Sequence, residues 1–362
     1  MKIGLTGLPT SGKTTFFNLL THSSIETSAY SSGKAEAHLG VARIPDCRVD
    51  FLAGMYHPKK TTYAAMELID LPGLVKGASS GKGVGNQFLE SVRKVDALIQ
   101  IVRTFTNDEV MHVEGSINPM RDIDTVNLEL LLSDLGVIET RIERIENSKK
   151  INSVMKEELE VLKKCRDGLE QEMPIHTLEL TGEEKEHLKT FNFLSVKPMF
   201  LVVNVDEEQL ETGEYPQKGE LYSYAGERSI PVIEVCAKVE MEIDRLDEED
   251  KRLFMEELGI EESGIDRTAR ATYDYFGLIS FLTAGEDEVK AWTIKKGTTA
   301  HRAAGKIHSD IERGFIRAEV VKYSDLKALG SMAKLKEKGL FRLEGKDYVV
   351  QDGDIINFRF NV

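Results

Sequence analysis

Length, composition and charge set the first limits on this chain. It has 362 residues, enough for two or three domains with a sizeable core, and it is 41% hydrophobic and 30% charged. Its formal net charge of −14 argues against sequence-independent nucleic-acid binding by the whole surface, so no DNA partner is expected. The three cysteines lack metal-ligand spacing, and no apolar run approaches the ~20 residues of a membrane helix. We therefore expect a soluble cytoplasmic protein without a signal peptide.

A phosphate-binding loop is predicted near the N-terminus. Residues 7–15 have the sequence Gly-Leu-Pro-Thr-Ser-Gly-Lys-Thr-Thr and fit G-x-x-x-x-G-K-[ST], which is typical of nucleoside-triphosphate enzymes. Lys2–Thr6 predicts a buried strand before the loop, and Thr14–Thr21 predicts a helix whose N-terminus faces the anion. The residues expected to bind phosphate are Gly7, Leu8, Pro9, Thr10, Ser11, Gly12, Lys13, Thr14 and Thr15.

A magnesium site is predicted beside this loop. Lys13 is expected to place a cation over the outer phosphates, and the Thr14 hydroxyl is expected to ligate Mg²⁺. Asp70 ends a short apolar strand and begins the pattern D-x-x-G, which Gly73 completes. An aspartate at that place holds Mg²⁺, and the glycine amide senses the terminal phosphate. The sequence therefore predicts Thr14 and Asp70 as metal ligands and Gly73 as a phosphate contact.

A base-recognition segment is predicted after a later buried strand. Asn204, Val205 and Glu207 lie where guanine-binding proteins carry N-K-x-D. Glutamate moves the carboxylate by about one C–C bond, ~1.5 Å, and a misplacement of ~1 Å costs on the order of a hundredfold. Strict guanine specificity is therefore not expected, and adenine or both purines fit the pattern. Cys236 and Ala237 end the next strand and are expected to border the base.

The order of elements predicts an α/β fold with three parts. Strand-like and helix-like segments alternate over 1–125 and 197–276, which predicts a P-loop nucleotide-binding domain (G domain) with a mostly parallel sheet. Two apolar stripes joined by a polar turn predict an inserted antiparallel α-helical hairpin, a coiled-coil domain, over 126–196. Shorter strands around a helix predict a β-grasp-like α+β domain over 277–362. The hairpin is either a partner-binding arm or a structural insertion.

Together these features resemble the Obg-like ATPase family, called YchF in bacteria. The shared marks are the phosphate loop, the segment from Asp70 to Leu89, the Asn-x-x-Glu base motif, the inserted hairpin and a TGS-like β-grasp domain. The resemblance spans essentially the whole chain, and residues 344–360 look especially similar. It implies slow Mg²⁺-dependent hydrolysis of ATP, sometimes GTP, coupled to ribosome or stress functions. The implied partner is the ribosome, through rRNA or a ribosomal protein, contacted by the helical and TGS-like domains.

The resemblance also implies a catalytic histidine. In this family an apolar residue, here Leu74, replaces the glutamine that usually follows D-x-x-G, and an apolar side chain cannot orient water. The family uses a histidine from a mobile loop instead, and Met111–Gly115 matches that loop. The resemblance thus implies that His112 positions the attacking water. The second predicted catalytic group is Lys13, which the phosphate-loop motif places to neutralise the developing charge. Without the resemblance, an ordinary loop or interface histidine is the commoner explanation.

The sequence departs from the family pattern at two places. Thr10 and Ser11 stand where the family has Asn-Val, which weakens the expectation of monovalent-cation activation. Lys34 stands where the first switch of the family carries a threonine ligand for Mg²⁺, and a cation cannot ligate Mg²⁺. Either Ser31 or Ser32 substitutes for that threonine, or the switch works differently.

These observations predict a Mg²⁺-dependent P-loop NTPase that favours ATP. A nucleotide-gated binding module with negligible hydrolysis is a second hypothesis, which Leu74 and Lys34 favour, and a strict GTPase is a third. A small-molecule kinase would need an acceptor pocket and an arginine-bearing lid, and the sequence shows neither. A group of basic residues near the C-terminus predicts either an rRNA contact or a solvated surface: Lys290, Lys295, Lys296, His301, Arg302, Lys306, Lys334, Lys336 and Lys338.

Overall fold

The fold is described from a computed structural model. The residues described are 1–25, 37–74, 77–78, 84–257, 260 and 262–361. They form two compact units, one of Met1–Val41 with Glu67–Ile265 and the other of Ala42–Met66 with Asp266–Val362. The three-domain division with boundaries near residues 125, 196 and 276 stays a prediction. None of the helices in the described part of the chain is long and apolar enough to cross a membrane.

A six-stranded sheet carries the nucleotide motifs. Its strands are β1 (Lys2–Thr6), β2 (His38–Arg43), β4 (Ala65–Asp70), β5 (Ala97–Arg103), β6 (Met199–Asn204) and β7 (Val232–Val235). Their order is β2-β4-β1-β5-β6-β7, and every pair from β4 to β7 is parallel. β5 is buried along its whole length because helices cover both faces of the sheet, as its apolar sequence predicts.

Helices pack against this sheet and extend from it. They are α1 (Lys13–Thr21), α3 (Val84–Arg93), α4 (Pro119–Glu146), α5 (Ser153–Glu170), α6 (Gly182–Leu188), α7 (Glu207–Thr212), α8 (Lys218–Glu227), α9 (Ala237–Arg245) and α10 (Glu248–Glu257), with 3₁₀ turns at Ile175–Thr177 and Lys189–Phe191. The next helix, α11 (Gly264–Tyr275), lies almost entirely in the second unit. Two apolar clusters hold helices to the sheet. Leu98 packs with Phe88 and Val126 in one cluster, and Val203 packs with Leu221 in the other.

The predicted helical hairpin is present as α4 and α5. Asn118 caps α4 by accepting a hydrogen bond from the Arg121 N–H, and Pro119 occupies the first turn, where its missing N–H costs nothing. The apolar stripes of the two helices meet in one buried cluster. Arg141 on α4 adds a bidentate ion pair to Glu158 on α5, with N–O distances of 2.7 and 2.9 Å. The hairpin therefore has a core of its own.

The second unit has a mixed sheet. Its strands are β3 (Lys60–Thr62), β8 (Leu278–Ala284), β9 (Glu288–Lys295), β10 (Phe315–Lys322), β11 (Arg342–Glu344) and β12 (Asp354–Phe360), and its helices are α2 (Cys47–Tyr56), α12 (Ala300–Ile307), α13 (Ser309–Arg313), α14 (Tyr323–Leu329) and α15 (Met332–Glu337). The strand order is β11-β10-β12-β8-β9-β3. The pairs β12–β8 and β3–β9 are parallel, and the other pairs are antiparallel. Phe281, Phe315 and Phe358 form the aromatic centre of its core.

The parallel part of the first sheet positions the nucleotide motifs. The phosphate loop follows β1, Asp70 ends β4, and the base segment follows β6. Because carboxyl ends of parallel strands meet at one edge, the three motifs meet there although they are far apart in sequence.

Candidate nucleotide-binding site

The phosphate loop has a backbone that requires glycine at two positions. Gly7 and Gly12 have φ angles of 144° and 95°, which residues with a side chain rarely adopt. A Cβ atom on Gly7 would lie 2.5 Å from the carbonyl oxygen of Ile101, and one on Gly12 would lie 2.4 Å from Nδ2 of Asn204. The loop is therefore pressed against the ends of β5 and β6, and both motif glycines are sterically required.

The Lys13 side chain is buried against the phosphate loop. Its Nζ donates a hydrogen bond of 2.6 Å to the carbonyl oxygen of Leu8, and the residue is only 7% exposed. Burial lowers the pKa of Lys13 to about 8, although the charge of Asp70 opposes the shift. The ammonium group thus has little solvation of its own, and a phosphate oxygen would compete directly with the Leu8 carbonyl for it.

Thr14 and Asp70 meet as the metal prediction requires. The Thr14 hydroxyl donates a hydrogen bond of 2.8 Å to Oδ2 of Asp70. The other carboxylate oxygen, Oδ1, is buried and has no hydrogen-bond partner among the described residues. Burial raises the pKa of Asp70, and the Thr14 hydrogen bond and the Lys13 charge oppose that shift. A buried carboxylate oxygen without a donor, beside a hydroxyl, suits a hard cation such as Mg²⁺.

These two ligands agree with how Mg²⁺ is usually bound beside phosphates. No group of three or more His, Cys, Asp or Glu side chains suited to a metal occurs in the described ranges. Mg²⁺ commonly takes only one or two protein ligands and completes its shell with water and substrate phosphates. The residues present therefore fit that cation.

A cavity of about 780 Å³ opens beside the loop. Nine of the predicted site residues line this cavity: Thr10, Gly12, Lys13, Thr14, Thr15, Asn204, Val205, Glu207 and Ala237. Its remaining lining residues are Phe105, Thr106, Asn107, Val110, Asp206, Glu208, Lys238 and Met241. The predicted residues that do not line it are Gly7, Leu8, Pro9, Ser11, Asp70, Gly73, His112 and Cys236. The aromatic ring of Phe105, the thioether of Met241 and several polar groups in this lining suit a purine base and its ribose.

Asn204 connects loops at the base end of the cavity. Its Nδ2 donates a hydrogen bond of 3.1 Å to the carbonyl oxygen of Ser11, and its Oδ1 accepts one of 3.2 Å from the Ala237 N–H. It is 4% exposed, so both ends of its amide are engaged. In this geometry Asn204 joins the phosphate loop to the start of α9 and shapes the pocket.

Glu207 is exposed, whereas Asn204 is buried. It is the first residue of α7, and its side chain is 53% exposed at the cavity. Its Oε1 lies 2.7 Å from Nζ of Lys238, which is more exposed still. Cys236, in contrast, is buried, and burial raises the pKa of its thiol, which favours the neutral form. Of the predicted base contacts, Glu207 is the charged group that faces the cavity.

His112 lies apart from the cavity. Its Nε2 is 2.8 Å from Oδ2 of Asp122 on α4, its Nδ1 accepts a hydrogen bond of 3.1 Å from the Glu114 N–H, and the residue is 8% exposed. Leu74 is buried in an apolar cluster at 1% exposure. The Leu74 N–H donates a hydrogen bond of 3.2 Å to the Gly7 carbonyl oxygen, so its backbone lies beside the phosphate loop while its apolar side chain packs away in the core. His112 does not line the cavity, and its role in orienting water stays a prediction.

The sequence analysis missed Arg103. This residue ends β5, is 2% exposed, and donates hydrogen bonds to the carbonyl oxygens of Phe105, Val110 and Thr10 at 3.1, 2.7 and 3.3 Å. Burial lowers its pKa. An arginine at the end of an apolar strand, at the sheet edge that carries the nucleotide motifs, indicates a functional or structural contact there. No motif includes it.

Part of the predicted switch apparatus is outside the described residues. Lys34, Ser31 and Ser32 are not described, and neither are residues 75–76 and 79–83 of the segment from Asp70 to Leu89.

A parallel sheet with a phosphate loop, an aspartate of D-x-x-G on the adjacent strand and a base segment two strands away defines a P-loop NTPase of the G-domain type. A family model described as a 50S ribosome-binding GTPase matches residues 2–238. A second model, the YchF-GTPase C-terminal family, described as a protein of unknown function, matches residues 278–361. The chain belongs to the YchF family.

Individual relatives support this assignment over the full length. A protein of Bacillus subtilis (strain 168) named ribosome-binding ATPase YchF is 45% identical over 361 residues, covering 99% of each chain. A Haemophilus influenzae protein of the same name is 44% identical over all of this chain and 99% of its own. The structure of the Schizosaccharomyces pombe YchF GTPase matches with a TM-score of 0.86 and 32% identity, over 99% of this chain and 97% of that one. The predicted family and fold class are confirmed.

Proposed function

We propose that this protein is a nucleoside-triphosphate hydrolase that favours ATP, accepts GTP less well, and works as a ribosome-associated switch in the cytoplasm. The observation that carries this proposal is the Lys13–Thr14–Asp70 arrangement, in which a buried ammonium group lies beside a hydroxyl and an unpaired carboxylate oxygen. The names of the YchF relatives, which describe them as ribosome-binding ATPases, support the same activity and partner.

The proposed reaction is attack of water on the terminal phosphate. Lys13 neutralises charge that develops on the transferred phosphoryl group, and backbone amides of the loop bind the phosphate before it. Thr14 and Asp70 hold Mg²⁺, which when bound supplies positive charge to the phosphate oxygens. The Gly73 amide contacts the terminal phosphate, and His112 positions the attacking water.

Base selection is proposed to depend on Glu207. Its carboxylate accepts hydrogen bonds only, so it can bind the exocyclic amino group of adenine or the N1–H and amino group of guanine. The longer glutamate side chain does not reproduce the position of the aspartate in N-K-x-D. We therefore propose ATP as the better substrate and GTP as the weaker one.

Ribosome association is proposed to use basic residues of the second unit, together with the helical hairpin. Lys295, Lys296, Arg302 and Lys306 are exposed there, although the whole protein is acidic. Lys290 differs, because its Nζ lies 3.7 Å from the centre of the Trp292 ring. An exposed basic group on an acidic protein favours local contact with RNA phosphates.

Phosphate release from ATP and GTP, with and without Mg²⁺, tests the proposed reaction. We expect slow turnover that requires Mg²⁺ and a higher kcat/KM for ATP. The buried positions of Leu74 and His112 favour the second candidate, a nucleotide-gated binding module. Tight binding of both nucleotides with turnover no faster than that of free ATP would establish this alternative instead.

Ribosome co-sedimentation over a range of salt concentrations tests the proposed partner. Reversal of two adjacent charges, Lys295→Glu with Lys296→Glu, is expected to weaken binding and to reduce its salt dependence. The matched control reverses Lys251 and Arg252 on α10, which form another adjacent basic pair. Equal effects of the two double variants would contradict a specific contact through the second unit.

A further inference from the structure

A buried hydrogen bond to a carboxylate holds the loop that contains His112. Asp122 lies in the first turn of α4, and its side chain is 6% exposed, while that of His112 is 4% exposed. Oδ2 of Asp122 faces Nε2 of His112, and Oδ1 accepts hydrogen bonds of 3.0 and 2.8 Å from Nε and Nη2 of Arg121. Both carboxylate oxygens are thus engaged, as a buried charge requires.

Both nitrogens of the imidazole are engaged as well. Because the Glu114 N–H donates to Nδ1, that nitrogen carries the lone pair, and Nε2 carries the hydrogen that is donated to Asp122. No lone pair is left to accept a proton from water, and the ring is nearly inaccessible. His112 in this position cannot act on a water molecule.

The same loop is tied to the phosphate loop. Arg103 donates from Nη1 to the Thr10 carbonyl oxygen and from Nη2 to the Val110 carbonyl oxygen, at 3.3 and 2.7 Å. The Thr10 hydroxyl donates to the carbonyl oxygen of Met111, the residue before His112, at 3.3 Å. Thr10 has a φ of 62°, which is unusual for a residue with a branched side chain. A movement of Thr10 on phosphate binding would therefore be transmitted to the chain next to His112.

We infer that Asp122 stores His112 away from the nucleotide, and that release of His112 from Asp122 limits the rate of hydrolysis. Asp122 is then a positioning residue that acts through His112. The inference rests on the proposed role of His112 in hydrolysis and adds a step that precedes it. The contacts of Thr10 and Arg103 give bound nucleotide a route to favour release.

Nuclear magnetic resonance of the full chain with labelled histidine tests storage directly. The chain has eight histidines, and the His112 signals are identified by their loss in His112→Ala. Without nucleotide we expect an Nε2–H tautomer whose hydrogen exchanges slowly with water. With Mg²⁺, ADP and aluminium fluoride, which imitate the transition state, we expect that signature to disappear. The same protected tautomer in both states would overturn the inference.

Hydrolysis kinetics test whether storage limits the rate. Asp122→Asn keeps the shape but weakens a charge-assisted hydrogen bond, so kcat is expected to rise roughly three- to tenfold without a change in nucleotide affinity. Combined with His112→Ala, the same substitution is expected to have no effect. Asp124→Asn is the matched control, since Asp124 is an exposed carboxylate on the same helix.

The remaining outcomes separate the inference from the function on which it rests. If His112→Ala lowers turnover and Asp122→Asn also lowers it or leaves it unchanged, the storage role is wrong and the role of His112 stands. If His112→Ala hydrolyses ATP normally, both the role of His112 and the inference are wrong. If Asp122→Asn does not fold, the resonance measurement on the unchanged protein still decides between storage and its absence.

Discussion

The two ends of the nucleotide cavity are built in different ways. At the phosphate end, Lys13 is 7% exposed, and Gly7 and Gly12 leave no space for a side chain. At the base end, the charged pair of Glu207 and Lys238 is more than half exposed. The phosphate end therefore consists of backbone and buried charge, and the base end carries exposed surface side chains.

This difference predicts how each end responds to substitution. A buried charge has a large desolvation cost, so its partners and surroundings are fixed closely. An exposed ion pair contributes little to stability and is screened by salt. We expect changes at the phosphate end to abolish binding and changes at the base end to redirect it.

Lys13→Met should have the largest effect. It keeps a long side chain in the loop but removes the ammonium group, so nucleotide affinity is expected to fall at least about a hundredfold. The thermal midpoint without nucleotide should not fall, because the buried charge is costly to the free protein. Calorimetric titration with ATP and thermal unfolding measure the two quantities.

The control for that substitution is Lys156→Met, which removes an exposed lysine on α5. It should change neither measurement. If Lys13→Met lowered the thermal midpoint and bound ATP as well as the unchanged protein, the phosphate end would be a structural loop and the contrast between the two ends would disappear.

The pH dependence of binding should show the next largest effect. The pKa of Lys13 is about 8 in the free protein, because burial lowers it, and a bound triphosphate favours the protonated form. Affinity should therefore be nearly constant below pH 8 and should fall up to about tenfold per pH unit above it. Calorimetry near pH 8.5, in two buffers with different ionisation enthalpies, should detect proton uptake. Lys13→Met should show neither effect.

The sequence specified the local geometry of the phosphate loop, whereas the contacts of its residues with phosphate stay a prediction. Its chemistry is carried by short-range backbone geometry, and a nine-residue motif specifies that geometry together with Lys13 and Thr14. Asp70 was predicted as a metal ligand because it ends an apolar strand and is followed by Gly73 in the pattern D-x-x-G. The buried side of Asp70, with its unpaired oxygen, depends on packing and could not be inferred.

The sequence was less informative about groups that meet through tertiary structure. Asn204 was expected near the base, but both ends of its amide are bonded to other segments, because Ser11 of the phosphate loop and Ala237 at the start of α9 both contact it. Arg103 and Asp122 belong to no motif, and only the meeting of β5, α4 and the loop between them places them beside Thr10 and His112. Contacts of this kind depend on the fold as a whole.

The smallest expected effect is at Glu207. Glu207→Asp shortens the side chain by about 1.5 Å and brings the carboxylate towards the position that guanine-binding proteins use. It also separates the group from Lys238, which costs little because the pair is exposed. The ratio of ATP to GTP affinity should shift towards GTP by roughly three- to tenfold, with hydrolysis of bound nucleotide unchanged.

Competition titrations with the two nucleotides measure the ratio, and Glu211→Asp, at an exposed glutamate on the same helix, is the matched control. An unchanged ratio in Glu207→Asp would mean that Glu207 does not select the base. Selection would then depend on buried residues of the cavity, and the base end would resemble the phosphate end.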